Sequence, residues 1–359
     1  MSNTIFILGA GSSKAAGAPL MAEFLEVAHN LWKTGQVKEV EKHFINVFGA
    51  ISALQSVHSK SQLDIDNVES VFATLEMART LNTFPQLDVS VLDNLIESMK
   101  IVIGQTIELT LKLPVRGNRP ESPVPYGDFA ELLKWLGEEA VPKHTIAVIT
   151  FNYDLACDFG LYKHGFYVDY ALGEKVDRKT LPLLKLHGSL NWAYCPELEK
   201  VVPWTMQAHF SKYHWNFLDD IQSVLLRMMP HLKDFKYEDK TVIPEPVLVP
   251  PTWNKSEHHR NLSAVWARAA AELSEAENIF IIGYSLPETD AFFRYLYALG
   301  TVGENLIRRI WVFNPDNTGT VEQRFRSLMG PAASARFRYF ANTFKESLQI
   351  IKKEFPSRS

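Results

Sequence analysis

The sequence predicts an α/β protein: a Rossmann-like, doubly wound parallel sheet with a large helical insertion and no zinc module. Three observations carry that expectation. Short apolar runs, such as Ile5-Phe6-Ile7-Leu8 and Ile279-Phe280-Ile281-Ile282, recur along the 359-residue chain, as in strands buried on both faces. Helix-patterned stretches separate these runs. Five of the runs end in a polar or glycine cluster: GAGSS, NYD, HGS, GYSLP and NPD. Ligands of open parallel sheets bind beyond the carboxyl ends of the strands, so five such ends point to a nucleotide site.

The first run, Ile5-Phe6-Ile7-Leu8, stops at Gly9-Ala10-Gly11. The glycines permit a tight turn and the close approach of a backbone or a ligand. Ser12, Ser13, Lys14, Ala15 and Ala16 can open a helix whose first N–H groups attract an anion. This is less than a full dinucleotide fingerprint. Lys14 stands where a third glycine belongs, and no acid closes a second strand about 20 residues on.

From Met21 to about Leu113 the pattern is helical. Leu92, Leu95, Ile96, Met99, Val102 and Ile103 recur at helical spacing, as do Phe44, Val47, Phe48 and Ile51. Asp66-Asn67-Val68-Glu69 reads as a helix start with an acid in its first turn. Pro114 to Gly127, with four prolines and two glycines, reads as a loop, and Gly127 to Glu139 as helix. Buried strands are expected at Thr145–Phe151, Leu181–Leu186, Ile279–Ile282 and Ile310–Phe313. Val247-Leu248-Val249 leads into Pro250-Pro251-Thr252-Trp253. Residues 205–235 look helical, and Leu262–Leu273 reads as an amphipathic helix. The domain reading is one α/β domain over 1–359, with a helical insertion at 21–140 and a smaller helical one at 196–240.

An apolar fraction of 46% and a charged fraction of 22% are ordinary for a globular chain. A net charge of −4 gives no global signal for nucleic acid or an anionic membrane. No apolar run is long enough to span a bilayer, and no basic leader precedes the first strand. Cys157 and Cys195 are too few for a disulfide framework or a four-cysteine zinc site. His209 and His214 lack metal-site spacing. The expectation is a cytoplasmic protein without a metal.

In their order along the chain, the motifs resemble the sirtuin superfamily. Gly9-Ala10-Gly11-Ser12-Ser13, with Gly17-Ala18-Pro19 after it, looks like the sirtuin glycine loop. Thr150-Phe151-Asn152-Tyr153-Asp154 lies where sirtuins carry Asn-x-Asp. Leu186-His187-Gly188-Ser189-Leu190-Asn191-Trp192 is similar to the catalytic histidine segment. Gly283-Tyr284-Ser285-Leu286 matches the later Gly-x-Ser loop, and Asn314 the asparagine that closes on the adenosine ribose. The departures are as informative. Leu20-Met21-Ala22 replaces the Asp-Phe-Arg of the deacylases, the four zinc cysteines are missing, and the helical stretch is longer. FNYD, KLHGS-NW, PPTW-K and GYSLPETD resemble the bacterial sirtuin-like antiphage defence proteins instead. That group implies hydrolysis of NAD⁺ to nicotinamide and ADP-ribose, triggered by infection and switched by an oligomer or a partner defence protein.

The resemblance implies catalytic roles for Asn152, His187 and Asp154. It implies nucleotide contacts from Gly9, Ala10, Gly11, Ser12, Ser13, Gly17, Pro19, Gly283, Tyr284, Ser285, Asp290 and Asn314, together with Asn152 and His187. The residue chemistry is compatible with this. Imidazole accepts a proton near neutral pH, and a carboxamide offers both a donor and an acceptor to a ribose hydroxyl or a water. NAD⁺ carries a cationic leaving group, so cleavage needs positioning and stabilisation of an oxocarbenium-like ribose more than a strong acid. Glu288 and Asp290 either cap a helix or hold a ribose hydroxyl. Trp192 and Trp253 read as packing residues, and His258-His259-Arg260 as a solvated loop. The Gly283–Pro287 segment lacks the second glycine of a serine-hydrolase elbow. A protein deacylase and a non-catalytic NAD⁺ or ADP-ribose sensor are the alternative readings.

Overall fold

A computed structural model describes residues 1–56, 63–173, 180–215, 222–249, 257–287, 290–303 and 305–356. Its centre is a seven-stranded, all-parallel sheet. The strand order is Phe337–Phe340, Arg309–Phe313, Asn278–Ile282, Thr4–Leu8, Ile146–Thr150, Leu181–Lys185 and Val168–Asp169. Thr4–Leu8 and Asn278–Ile282 are buried at every position, as continuous apolar runs require. The chain leaves the Thr4–Leu8 strand in one direction and returns to its other side at Asn278–Ile282. The switch point of the topology therefore falls between these two strands. All five polar strand ends read from the sequence lie on adjacent strands.

Helices Tyr126–Glu138 and Phe344–Glu354 pack together on the sheet, and Phe129 meets both Phe6 and Phe344 edge-on. Helix Glu257–Ser274 runs along the Leu181–Lys185 strand and ties to it through Trp266 Nε1, which donates to the Leu186 carbonyl at 3.1 Å. Among the described residues no helix is long and apolar enough to cross a membrane.

Between the first strand and helix Tyr126–Glu138 the described residues form four α-helices: α1 (Phe24–Lys33), α2 (Glu41–Gln55), α3 (Val68–Leu81) and α4 (Leu92–Thr110). The other three pack on α4, which buries Leu95, Met99 and Val102 among Phe44, Val47, Phe72 and Leu75. Asn67 caps α3, its Oδ1 accepting from the amides of Glu69 and Ser70 at 2.9 and 3.3 Å.

The structure departs from the sequence reading in the proline-rich segment and in the stretch that follows Pro203. The proline-rich segment expected as a loop holds an antiparallel hairpin, Lys112–Arg116 with Arg119–Pro120, extended by Ser223–Leu225. Among its described residues, the stretch 205–235, expected as helix, is helical only at Met206–Lys212 and in a 3₁₀ segment, Met229–Asp234. Pro203 precedes this stretch, and Pro230 falls inside it, at the start of the 3₁₀ segment, where aromatic and methionine content made it look continuous. Among its described residues, 196–240 is thus a mixture of short strands and short helices.

Candidate active site

The glycine turn after Thr4–Leu8 and the loop after Asn278–Ile282 lie backbone against backbone. A Cβ on Gly9 would stand 2.5 Å from Tyr284 Cα, and one on Gly11 would stand 2.8 Å from the Gly283 carbonyl oxygen. Gly283 has φ +65, in the left-handed region that glycine tolerates. The glycines are needed here for the contact between loops. The sequence reading expected a helix with open N–H groups after Gly11. Two 3₁₀ turns, Ala10–Ser12 and Lys14–Ala16, stand there instead. The amides of Gly11, Ser12 and Ser13 donate to the carbonyls of Gly283, Gly9 and Ala10. Those three N–H groups are therefore spent inside the turn.

Asn152, at the end of Ile146–Thr150, ties this turn down. Its Nδ2 lies 3.1 Å from the Gly9 carbonyl, 3.2 Å from Ser12 Oγ and 3.1 Å from Ser13 Oγ. Both hydroxyls also meet the buried Tyr126 hydroxyl, at 2.9 and 2.8 Å. Asn152 Oδ1 accepts no hydrogen bond from the described residues, so the donor half of the carboxamide is committed and the acceptor half is not. Asp154 is committed too. Its Oδ1 accepts from the Ala156 amide at 2.9 Å. Burial raises its pKa, opposed chiefly by Lys185 and by its bonds to Ala156 and Ser13. Lys185 is fully buried between the Asp154 carbonyl, at 2.6 Å, and Asp158, at 3.0 Å. His187 follows one residue after Leu186, buried against the rings of Phe151 and Tyr153 at 5.1 and 6.2 Å. Its carbonyl accepts the Val249 amide.

On the far side of the switch point, Tyr284 stacks on Phe151 with ring centroids 4.5 Å apart. Its hydroxyl donates to Asp290 Oδ2, and Asp290 Oδ1 caps the next helix at the Phe293 amide. Asn314 Oδ1 accepts from the Asp316 amide at 3.0 Å.

These groups surround a cavity of about 850 Å³ at the carboxyl ends of the central strands. Of the residues expected from the sequence, Ala10, Gly11, Pro19, Asn152, Asp154, His187, Gly283, Tyr284, Ser285, Asp290 and Asn314 line it. Gly9, Ser12, Ser13 and Gly17 do not. The two serines are buried behind the wall, and Gly17, at φ +98, closes the turn against the Thr110 carbonyl at the end of α4. Glu288, Trp253 and the rest of the PPTW-K segment lie outside the described residues, as do the side chains of His258, His259 and Arg260. Trp192 is fully buried.

The opposite wall was not foreseen. It comes from the insertion: Met21, Phe24, Asp64, Asn67, Glu69 and Ile107. Burial, with Asp290 nearby, pushes the Glu69 carboxyl up to about 7. Lys14 and Arg324 are the lysine and arginine of the lining; Lys14 pairs with Glu23, and Arg324 reaches the Ser285 carbonyl at 3.4 Å. Among the described residues no group of three or more His, Cys, Asp or Glu side chains is disposed to hold a metal ion.

No protein-family model and no curated protein matches the sequence. Similar solved structures exist at low identity. Sir2Tm bound to a propionylated peptide is 13% identical, covers 98% of this chain and 93% of its own, and has a TM-score of 0.38. A Sir2–p53 peptide–NAD⁺ complex is 13% identical over 98% and 93% of the two chains, with a TM-score of 0.40. An ADP-ribose complex of a Sir2 homologue mutant is 14% identical over 98% and 92%, with a TM-score of 0.38. Likeness at this level says nothing about the chemistry of the present cavity, which has to be read from its own residues.

Proposed function

We propose that the protein hydrolyses NAD⁺ at the nicotinamide–ribose bond, giving nicotinamide and ADP-ribose. One observation carries the reading: Asn152 and His187 line the same cavity at the switch point of a doubly wound sheet, where such folds take their ligands. The size and lining suit a dinucleotide. Phe24, Phe151 and Ile107 offer apolar surface to rings, Lys14 and Arg324 offer cations to a pyrophosphate, and Asn152 Oδ1 offers an acceptor to a hydroxyl or a water.

In this reading His187 takes the proton from the attacking water or from a ribose hydroxyl. Asn152 orients that group while its Nδ2 holds the glycine turn in place. Asp154, bonded to Ser13 and the Ala156 amide, acts as a positioning residue. Ser12, Ser13 and Gly17 shape the wall instead of touching the nucleotide. The pyrophosphate is held by side-chain cations more than by the amides of the turn. The motif likeness to bacterial sirtuin-like defence proteins extends the proposal to a cytoplasmic antiphage effector, a single domain over 1–359 whose insertion meets a second copy or a partner.

Purified protein incubated with NAD⁺, with an acylated peptide, and with both tests the reading. Nicotinamide released without peptide supports hydrolysis. Release only in the presence of peptide would replace it with deacylation, and binding without turnover with a sensor.

A further inference from the structure

Among the described residues, four carboxyl groups line the cavity, those of Asp64, Glu69, Asp154 and Asp290, and they differ in what they are attached to. Asp154 is occupied by the Ala156 amide and Ser13. Asp290 is occupied by the Tyr284 hydroxyl and the Phe293 amide. Glu69 is on the first turn of α3, and only its backbone amide is bound, to Asn67. Its carboxylate accepts no hydrogen bond and forms no ion pair among the described residues. Asp64, also in the lining, is exposed.

Glu69 is half-buried in the cavity wall and interacts electrostatically with Asp290, Tyr153 and Tyr284, none of which supplies a positive charge. Tyr153 lies between Asn152 and Asp154 in sequence, and its ring meets that of His187. Glu69 is therefore coupled to a residue that touches His187, the group to which the proposed cleavage assigns the proton. A half-buried carboxylate with no partner, beside a second carboxylate, gains from a cation placed against it.

We infer that Glu69 is a substrate-contacting acid, brought to the cavity by the helical insertion, that recognises the positively charged pyridinium–ribose end of the nucleotide. The inference rests on the NAD⁺ reading above and names what holds the reacting end. As the bond between the pyridinium nitrogen and ribose C1′ breaks, its electron pair neutralises the leaving nicotinamide and the positive charge moves to C1′ and the ring oxygen. The water oxygen then bonds to C1′, and its proton leaves through His187. Glu69 faces that charge before and during cleavage.

NAD⁺, NADH and ADP-ribose separate this role from others, because NADH lacks the pyridinium charge and ADP-ribose lacks the ring altogether. Affinities are measured by calorimetry in the His187→Ala background, so that NAD⁺ survives the titration. Glu69→Gln should narrow the preference for NAD⁺ over NADH by roughly tenfold, about the size of one half-exposed charge pair in a nearly aqueous dielectric. ADP-ribose affinity should not change. An unchanged NAD⁺/NADH ratio with ADP-ribose binding intact overturns the inference and leaves the hydrolase reading standing. Equal weakening of all three ligands overturns it in favour of a structural role. Failure of the Glu69-containing protein to bind NAD⁺ overturns the hydrolase reading, and the inference with it.

Discussion

The two walls of the cavity are built on opposite plans. On the strand-end wall most polar groups are already committed to internal bonds. Asn152 Nδ2 faces three acceptors, both serines of the glycine turn meet Tyr126, Lys185 is locked between Asp154 and Asp158, and Asp290 is shared between Tyr284 and a helix start. On the insertion wall Asn67 is spent on its cap, and the Glu69 carboxylate has no protein partner among the described residues. The first plan holds a shape whether or not a ligand is present. The second leaves a charged group whose state depends on what occupies the cavity. Preorganised dipoles serve a transition state best when nothing has to move, so the strand-end wall is where chemistry is expected and the insertion wall where recognition is.

The largest effect should come from His187. His187→Ala is expected to lower nicotinamide release by about a thousandfold, within the range for loss of a general base, while NAD⁺ still binds. Turnover within a few-fold of the parent would remove His187 from the chemistry and make the strand-end wall a binding surface only.

Asn152→Ala comes next and has two components. Loss of Oδ1 should lower the rate by roughly a hundredfold, with a smaller effect on NAD⁺ affinity. Loss of Nδ2 removes one donor shared by the Gly9 carbonyl and both serine hydroxyls, so the melting temperature should fall as well. Asn152→Asp keeps an acceptor but removes the donor that ties the turn. It is expected to lose stability at least as severely as the alanine variant. If stability falls in both variants with the rate unchanged, Asn152 is a strut and not part of the reaction.

The strand-end wall was largely readable from the sequence because its signals are local. An apolar run ending in glycine or asparagine marks a buried strand and its carboxyl end within a few residues. What escaped was long-range. Tyr126 follows a proline-rich stretch and reaches Ser12 across 114 residues. The edge strand Phe337–Phe340 alternates buried Phe337 with exposed Arg338 and has no continuous apolar run, and Val168–Asp169 is only two residues long. Glu69 was visible but read as something else. Asp66-Asn67-Val68-Glu69 does start a helix, and Asn67 does cap it. An acid in a first helical turn has a sufficient explanation in the helix dipole, and that explanation conceals a carboxylate turned into a cavity. The glycine turn was located correctly, and of the two close approaches it permits, a backbone or a ligand, the structure shows the backbone of a second loop, which spacing alone does not tell from room for a ligand.

Gly11→Val tests that last distinction. Its Cβ would press on the Gly283 carbonyl oxygen at 2.8 Å and on Gly283 Cα at 3.0 Å, and both are backbone atoms that cannot swing aside. Overpacking of this kind costs about 1–3 kcal/mol, so stability and nucleotide affinity should fall together. A variant of parental melting temperature that fails to bind NAD⁺ would restore the view that Gly11 leaves space for the ligand itself.

The smallest effect concerns how the insertion is fastened to the rest of the chain, and it is read in pH. Glu108 on α4 is buried, and its Oε1 accepts the amides of Met228 and Met229, each at 2.7 Å. Burial pushes its carboxyl up to about 7, opposed by those two amides and by Arg227. The folded protein therefore holds this proton more tightly than the unfolded chain, whose glutamate titrates near 4.5. By linkage, the stability Glu108 contributes is fully present below the unfolded pKa and is lost as pH rises through the folded one. Glu69, raised in the same direction, adds to the same slope. The ligand-free protein should thus melt at a lower temperature at pH 8 than at pH 5 on account of these two groups. Glu108→Gln keeps an oxygen for both amides and cannot ionise, so it should flatten the slope and raise the melting temperature at pH 8 while leaving pH 5 nearly unchanged. NAD⁺ cleavage should be unaffected, because Glu108 does not line the cavity. Equal destabilisation at both pH values would mean that the carboxylate is charged in the folded state and that its two amide bonds, not its proton, hold the insertion down.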